Sequence, residues 1–103
     1  IAWQTALREW PGDTVALFGL ANARFVMQDY DAAETAYRDL LELDPGLSAA
    51  RNNLALALVE QGDYDAAMKE IGFALSGDPA PALEQELRDT EASIRRRMAG
   101  AGD

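Results

Sequence analysis

Two acidic turns raise the question of chemistry in this chain. Asp29-Tyr30-Asp31 and Asp63-Tyr64-Asp65 each carry two carboxylates with one residue between them. Paired carboxylates can hold calcium or perform acid–base catalysis. A calcium loop of the EF-hand kind needs further oxygen ligands and a closing glutamate at fixed spacing, and neither turn has them. Acid–base work needs two carboxylates in one cleft with separated pKa values. Among the 18 Asp and Glu residues, none is singled out by its surroundings. Asp is also a residue of helix caps and turns, and that is the role expected here. Cysteine and histidine are both absent. Thiol nucleophiles, imidazole bases, disulfides and the usual zinc ligands are thereby excluded. There is no glycine-rich phosphate loop. The Arg95-Arg96-Arg97 run is expected to end a helix, where cations suit the dipole, rather than to bind nucleic acid. A net charge of -9 likewise disfavours nucleic acid and anionic membranes as partners. No activated nucleophile or base is visible, so neither an enzyme nor a cofactor is expected.

What remains are groups that bind. Asn22, Asn52 and Asn53 carry amides, which both donate and accept and so suit a peptide backbone. Phe18 and Phe25 suit an apolar anchor. The element that must position the first of them is a helix over about 14–28. Leu17, Leu20, Ala21 and Arg24 share one stripe of it, and Val15, Phe18, Asn22 and Phe25 share another. A helix apolar on two faces has to be covered on both, or it binds something.

The spacing of those elements comes from a repeat. Asp29-Tyr30-Asp31-Ala32-Ala33 recurs letter for letter as Asp63-Tyr64-Asp65-Ala66-Ala67, an offset of 34 residues. The same offset links Pro11, Pro45 and Pro79, and pairs Gly12 with Gly46, Leu20 with Leu54, Ala21 with Ala55 and Leu41 with Leu75. A fixed period of this size marks a repeat architecture. Abundant alanine and few β-branched residues favour helices. The expected helices cover 1–10, 14–28, 31–43, 48–61, 65–76 and 81–98. Asp13 or Thr14, Asp31, Ser48 and Asp65 are the expected caps. Asp31 and Glu34 have capping-box spacing, and Gly62 supplies a tight turn. In the last helix Leu83, Leu87, Ile94 and Met98 are apolar. Glu84 and Glu86 lie in its first turn, Arg95, Arg96 and Arg97 in its last, and residues 99–103 form a frayed tail.

The 34-residue helix-turn-helix period, with small and bulky residues at matched offsets, resembles the tetratricopeptide repeat. Leu17, Leu20, Ala21, Ala33, Tyr37 and Leu40 fit its pattern in one unit. Leu54, Ala55, Leu58, Ala67, Ile71 and Ala74 fit it in the next. The resemblance implies an all-α helical solenoid. Residues 1–13 would be the second helix of a truncated repeat, 14–47 and 48–81 two repeats, and 82–98 a capping helix whose Gln85, Arg88 and Asp89 depart from the pattern. Arg24 and Arg51 stand at positions normally apolar, so their stems are expected to pack while the guanidinium groups reach water or a carboxylate.

In the family the first helices line a concave face. Here the resemblance places Val15, Phe18, Asn22, Phe25, Ala49, Asn52, Leu56 and Val59 on it, with Asn53 alongside. One family mode clamps a C-terminal carboxylate with lysines, an arginine and two asparagines. Asn22 and Asn53 match the asparagines, but Phe18, Leu83 and Leu87 stand where the cations belong, so that mode is rejected. The function expected is a protein-interaction scaffold holding an extended or helical apolar segment. The alternative is a structural module covering another part of a parent protein, such as a bacterial enzyme, or a second copy of itself. Homodimerisation would then run through Trp3 and Leu7. The chain opens on Ile1 rather than methionine, as a fragment of something longer would. Neither a membrane span nor a signal peptide is expected, and cytoplasm and periplasm both stay open.

Overall fold

A computed structural model describes residues 13–101. Five α-helices make up this part: α1 Thr14–Val26, α2 Tyr30–Leu43, α3 Ser48–Glu60, α4 Tyr64–Ser76 and α5 Pro81–Ala101. No strand occurs among the described residues. The helix expected over 1–10, with Trp3 and Leu7, lies outside them.

The helix starts show what the acidic residues do. Asp13, not Thr14, caps α1, its Oδ1 accepting from the backbone N–H groups of Val15 at 3.0 Å and Ala16 at 3.2 Å. α2 and α4 begin one residue before the expected start, with Asp29 and Asp63 as N-caps. Asp63 accepts from the Ala66 N–H at 3.3 Å, whereas Asp29 makes no such bond. Asp31 and Asp65 therefore sit inside the first turn, where the helix dipole favours a negative charge. The capping box of Asp31 and Glu34 does not form, because Asp31 is not at the cap, and Glu34 has other partners. Its carboxylate accepts from Arg38 Nε at 2.9 Å and Gln61 Nε2 at 3.0 Å. Ser48 is likewise the first residue of α3, with Leu47 at the cap.

α5 runs to Ala101, so Arg95, Arg96 and Arg97 are not its last turn. Met98 and Ala99 are good helix formers, and a lone Gly100 costs only about 1 kcal/mol. Arg97 reaches across to Glu60 at 3.4 Å and Arg95 back to Glu91 at 3.8 Å.

α1 packs on α2 and α3 on α4 as helical hairpins, and α2 joins the two hairpins through α3. The first helices also touch their successors, α1 against α3 and α3 against α5. Alanine permits this close approach: Ala21 and Ala55, and Ala33 and Ala67, are matched pairs at 0% exposure. Tyr37, Leu40, Leu54, Leu58 and Ile71 fill the spaces between the helices. α5 lays Leu87 and Ile94 onto the second hairpin, both buried, and turns its charged side outward. Removing such an apolar stripe from water contributes at about 25 cal/mol per Å², which is what ties α5 to the array.

Candidate peptide-binding face

The uncharged stripe of α1 lies next to that of α3, since the two helices touch. Val15 is the most open residue of the two stripes, at 70% exposure. Phe18, Asn22, Phe25, Ala49, Asn53 and Leu56 are half-buried. Asn52 and Val59 are buried. α3 is packed against all four other helices, so its stripe has less free surface than that of α1.

The two phenylalanines do not stand alone. Phe18 meets the Tyr37 ring edge-on at 6.3 Å between centroids, and Phe25 meets Tyr30 at 5.3 Å. Edge-to-face contacts of this kind add about 0.5–1.5 kcal/mol beyond area burial. They hold each phenylalanine against a tyrosine of α2, so both rings are fixed in place.

Asn22 is the centre of the polar chemistry. Its Oδ1 accepts from the Tyr37 hydroxyl and from Asn53 Nδ2, the latter at 3.1 Å. One atom thus ties α1, α2 and α3 together. Two donors on a single oxygen also define which way the Asn22 amide faces. Asn22 Nδ2 remains as a donor and Asn53 Oδ1 as an acceptor, the complement of a peptide unit's C=O and N–H. Burial pushes the Tyr37 phenol up to about 12, against a smaller opposing effect of the Asn53 amide. The repeat pattern alone marks Tyr37 as a core residue. Its counterpart one repeat later is Ile71, and the unit with a hydroxyl here is also the one with Asn22 facing it. That coincidence was the available signal.

Asn52 behaves differently. Its Oδ1 is buried and accepts no hydrogen bond. Away from this face, Arg51 donates to Glu70 at 2.8 Å and to the Pro45 carbonyl at 3.1 Å, with its guanidinium 5.4 Å from the Phe73 ring centre. Arg24 is half-buried beside Leu17 and Leu20. No cluster of three or more potential metal ligands occurs among the described residues, and no helix there is long and apolar enough to cross a membrane.

A tetratricopeptide-repeat family model matches residues 2–47 and again 18–79. The chain belongs to the tetratricopeptide repeat family. As a member of that family it is a repeat solenoid, and its structure is similar to that of the type III secretion translocator chaperone SycD of Yersinia enterocolitica. The TM-score is 0.85 at 17% identity, over 98% of this chain and 70% of that one. At that identity the likeness concerns the fold. No match is found among curated proteins.

Proposed function

We propose that this tetratricopeptide-repeat protein is an interaction scaffold that holds an apolar polypeptide segment on the α1/α3 face. The observation that carries the reading is the Asn22–Asn53 pair, fixed by Tyr37 and flanked by Phe18 and Phe25. The amides would meet the segment's backbone and the phenylalanines its apolar side chains. The nine residues of the face, Asn53 included, carry no cation to neutralise a terminal carboxylate. The segment favoured is therefore internal to its own chain rather than a C-terminus. Covering two phenyl rings and the aliphatic groups beside them is worth several kcal/mol at about 25 cal/mol per Å², before association costs. Micromolar affinity is the expectation.

The test uses peptides selected by display on the intact chain. Phe18→Ala with Phe25→Ala should weaken a selected peptide at least tenfold by calorimetry, with the helical circular dichroism unchanged. Unaltered affinity in the folded double variant would move the binding face elsewhere.

A further inference from the structure

The rows of the proposed peptide face do not end at α3. One period beyond its α3 residues stand Leu83, Glu86, Thr90 and Ser93. All four lie on α5, which packs on α3 as α3 packs on α1. They add a third column to the face. Thr90 is buried in it, Leu83 and Ser93 are half-buried, and Glu86 is exposed. Glu86 continues the row of Phe18 and Asn52, and it is the one charged residue in the three columns.

Among the described residues Glu86 has no ion-pair partner. The arginines of its own helix are engaged elsewhere: Arg88 with Glu84 at 3.4 Å, Arg95 with Glu91 at 3.8 Å and Arg97 with Glu60 at 3.4 Å. Arg96 stands about 15 Å further along α5, beyond the distance over which salt leaves exposed charges coupled. Glu84 and Asp89, on either side of Glu86, are carboxylates as well, Asp89 accepting from Gln85 at 2.8 Å. On α3, Asn52, Asn53 and Leu56 are uncharged, and Arg51 is turned to Glu70. Of the two glutamates near the start of α5, only Glu84 lies in the first turn, so the helix dipole does not employ Glu86. The third column thus offers an unneutralised carboxylate in line with an apolar anchor.

We propose that the segment held on this face is extended, crosses from α1 to α5, and pairs a lysine or arginine with Glu86. This rests on the α1/α3 face being the binding face. The extended form follows from the amides. Asn22 Nδ2 and Asn53 Oδ1 call for a backbone C=O and N–H, which a helical segment has already paired internally. Touching helices lie about 8–10 Å apart, which puts α5 about 16–20 Å from α1. At about 3.3 Å per residue, the basic residue stands about five or six positions from the one seated on Phe18. The net charge of -9 draws such a segment toward the chain.

The test displays long random peptides to the intact chain and measures the selected ones by calorimetry. Peptides that depend on Phe18 and Phe25 should carry a lysine or arginine at that spacing from a large apolar residue. Glu86→Gln should weaken them about two- to fivefold at low salt, the scale of an exposed ion pair. Replacing the basic residue of the peptide with glutamine should do the same, and the two changes should not add. Glu86→Lys should favour peptides with glutamate at that place. Phenylalanine-dependent peptides without a basic residue, or indifferent to Glu86→Gln, would overturn this inference and leave the face standing. A basic residue at the spacing of a helix, about 11–13 positions, would overturn the extended form. Peptides indifferent to Phe18 and Phe25 would overturn the face itself, and this inference with it.

Discussion

Replacing Asn22 with alanine should cost far more than replacing Asn53, although the two share a hydrogen bond. Asn22 Oδ1 serves two donors. Without it the Tyr37 hydroxyl loses its acceptor in a residue only 1% exposed. A buried donor left unpaired costs about 1–3 kcal/mol. Asn53 is half-buried, so its amide regains water and the loss there is about 0.5–1 kcal/mol. Alanine in mid-helix returns about 0.5 kcal/mol of propensity. The net expectation for Asn22→Ala is about 1–3.5 kcal/mol of destabilisation. Asn53→Ala leaves Tyr37 paired with Asn22, and the propensity gain nearly offsets the lost bond, so its net cost is below about 0.5 kcal/mol. Urea unfolding followed by circular dichroism measures both. The decisive variant adds Tyr37→Phe to Asn22→Ala. With the orphaned hydroxyl gone, about 1 kcal/mol or more should return. Equal costs for the two single variants, or no recovery in the double variant, would refute the account of Asn22 as the shared acceptor.

Tyr37 also predicts an alkaline limit. Its phenol rises from 10.0 to about 12 in the fold, so the neutral form is favoured by folding. That stability is complete below the unfolded pKa and is lost as pH climbs through the folded one, an effect of roughly 3 kcal/mol. Urea midpoints should fall from pH 10 upward, and Tyr37→Phe should remove this component of the fall. Asn52→Leu deletes a buried carbonyl oxygen that accepts no bond and should raise stability by about 1 kcal/mol. For a chain of this size that is a rise in Tm of about 4–8 °C by scanning calorimetry. Gln28 holds φ 64°, where its counterpart Gly62 holds 82°. Gln28→Gly should therefore stabilise and Gly62→Ala destabilise, each by about 0.5–1 kcal/mol in thermal melts.

The turns illustrate how legible local structure was. Gly62 and the Pro-Gly stops announce themselves by type, because their backbone preferences are intrinsic. Gln28 did not, since nothing in a glutamine marks a left-handed conformation, although its place one period before Gly62 was a clue. The capping box at Asp31 and Glu34 failed because the helix begins one residue earlier, with Asp29 at the cap; Glu34 instead accepts from Arg38 of its own helix and from Gln61 just past α3. Arg51 followed expectation, its charge placed on Glu70, because a long stem can pack while its end finds a carboxylate.

The sequence by itself determined the helical repeat. A 34-residue period of small and large apolar residues marks a helical repeat array, in which each unit buries its stripe only against its neighbours. It also marked the uncharged stripe of α1 and α3, for side-chain spacing on a helix is local geometry. Only the tertiary structure decided which of those residues stay reachable. Asn52 and Val59 are buried while Val15 stands open, and that depends on how closely α5 and α1 approach α3. The tertiary structure alone also joined Tyr37, Asn22 and Asn53 at one oxygen. A hydrogen bond across three helices depends on distances between elements, and no spacing along the chain encodes those.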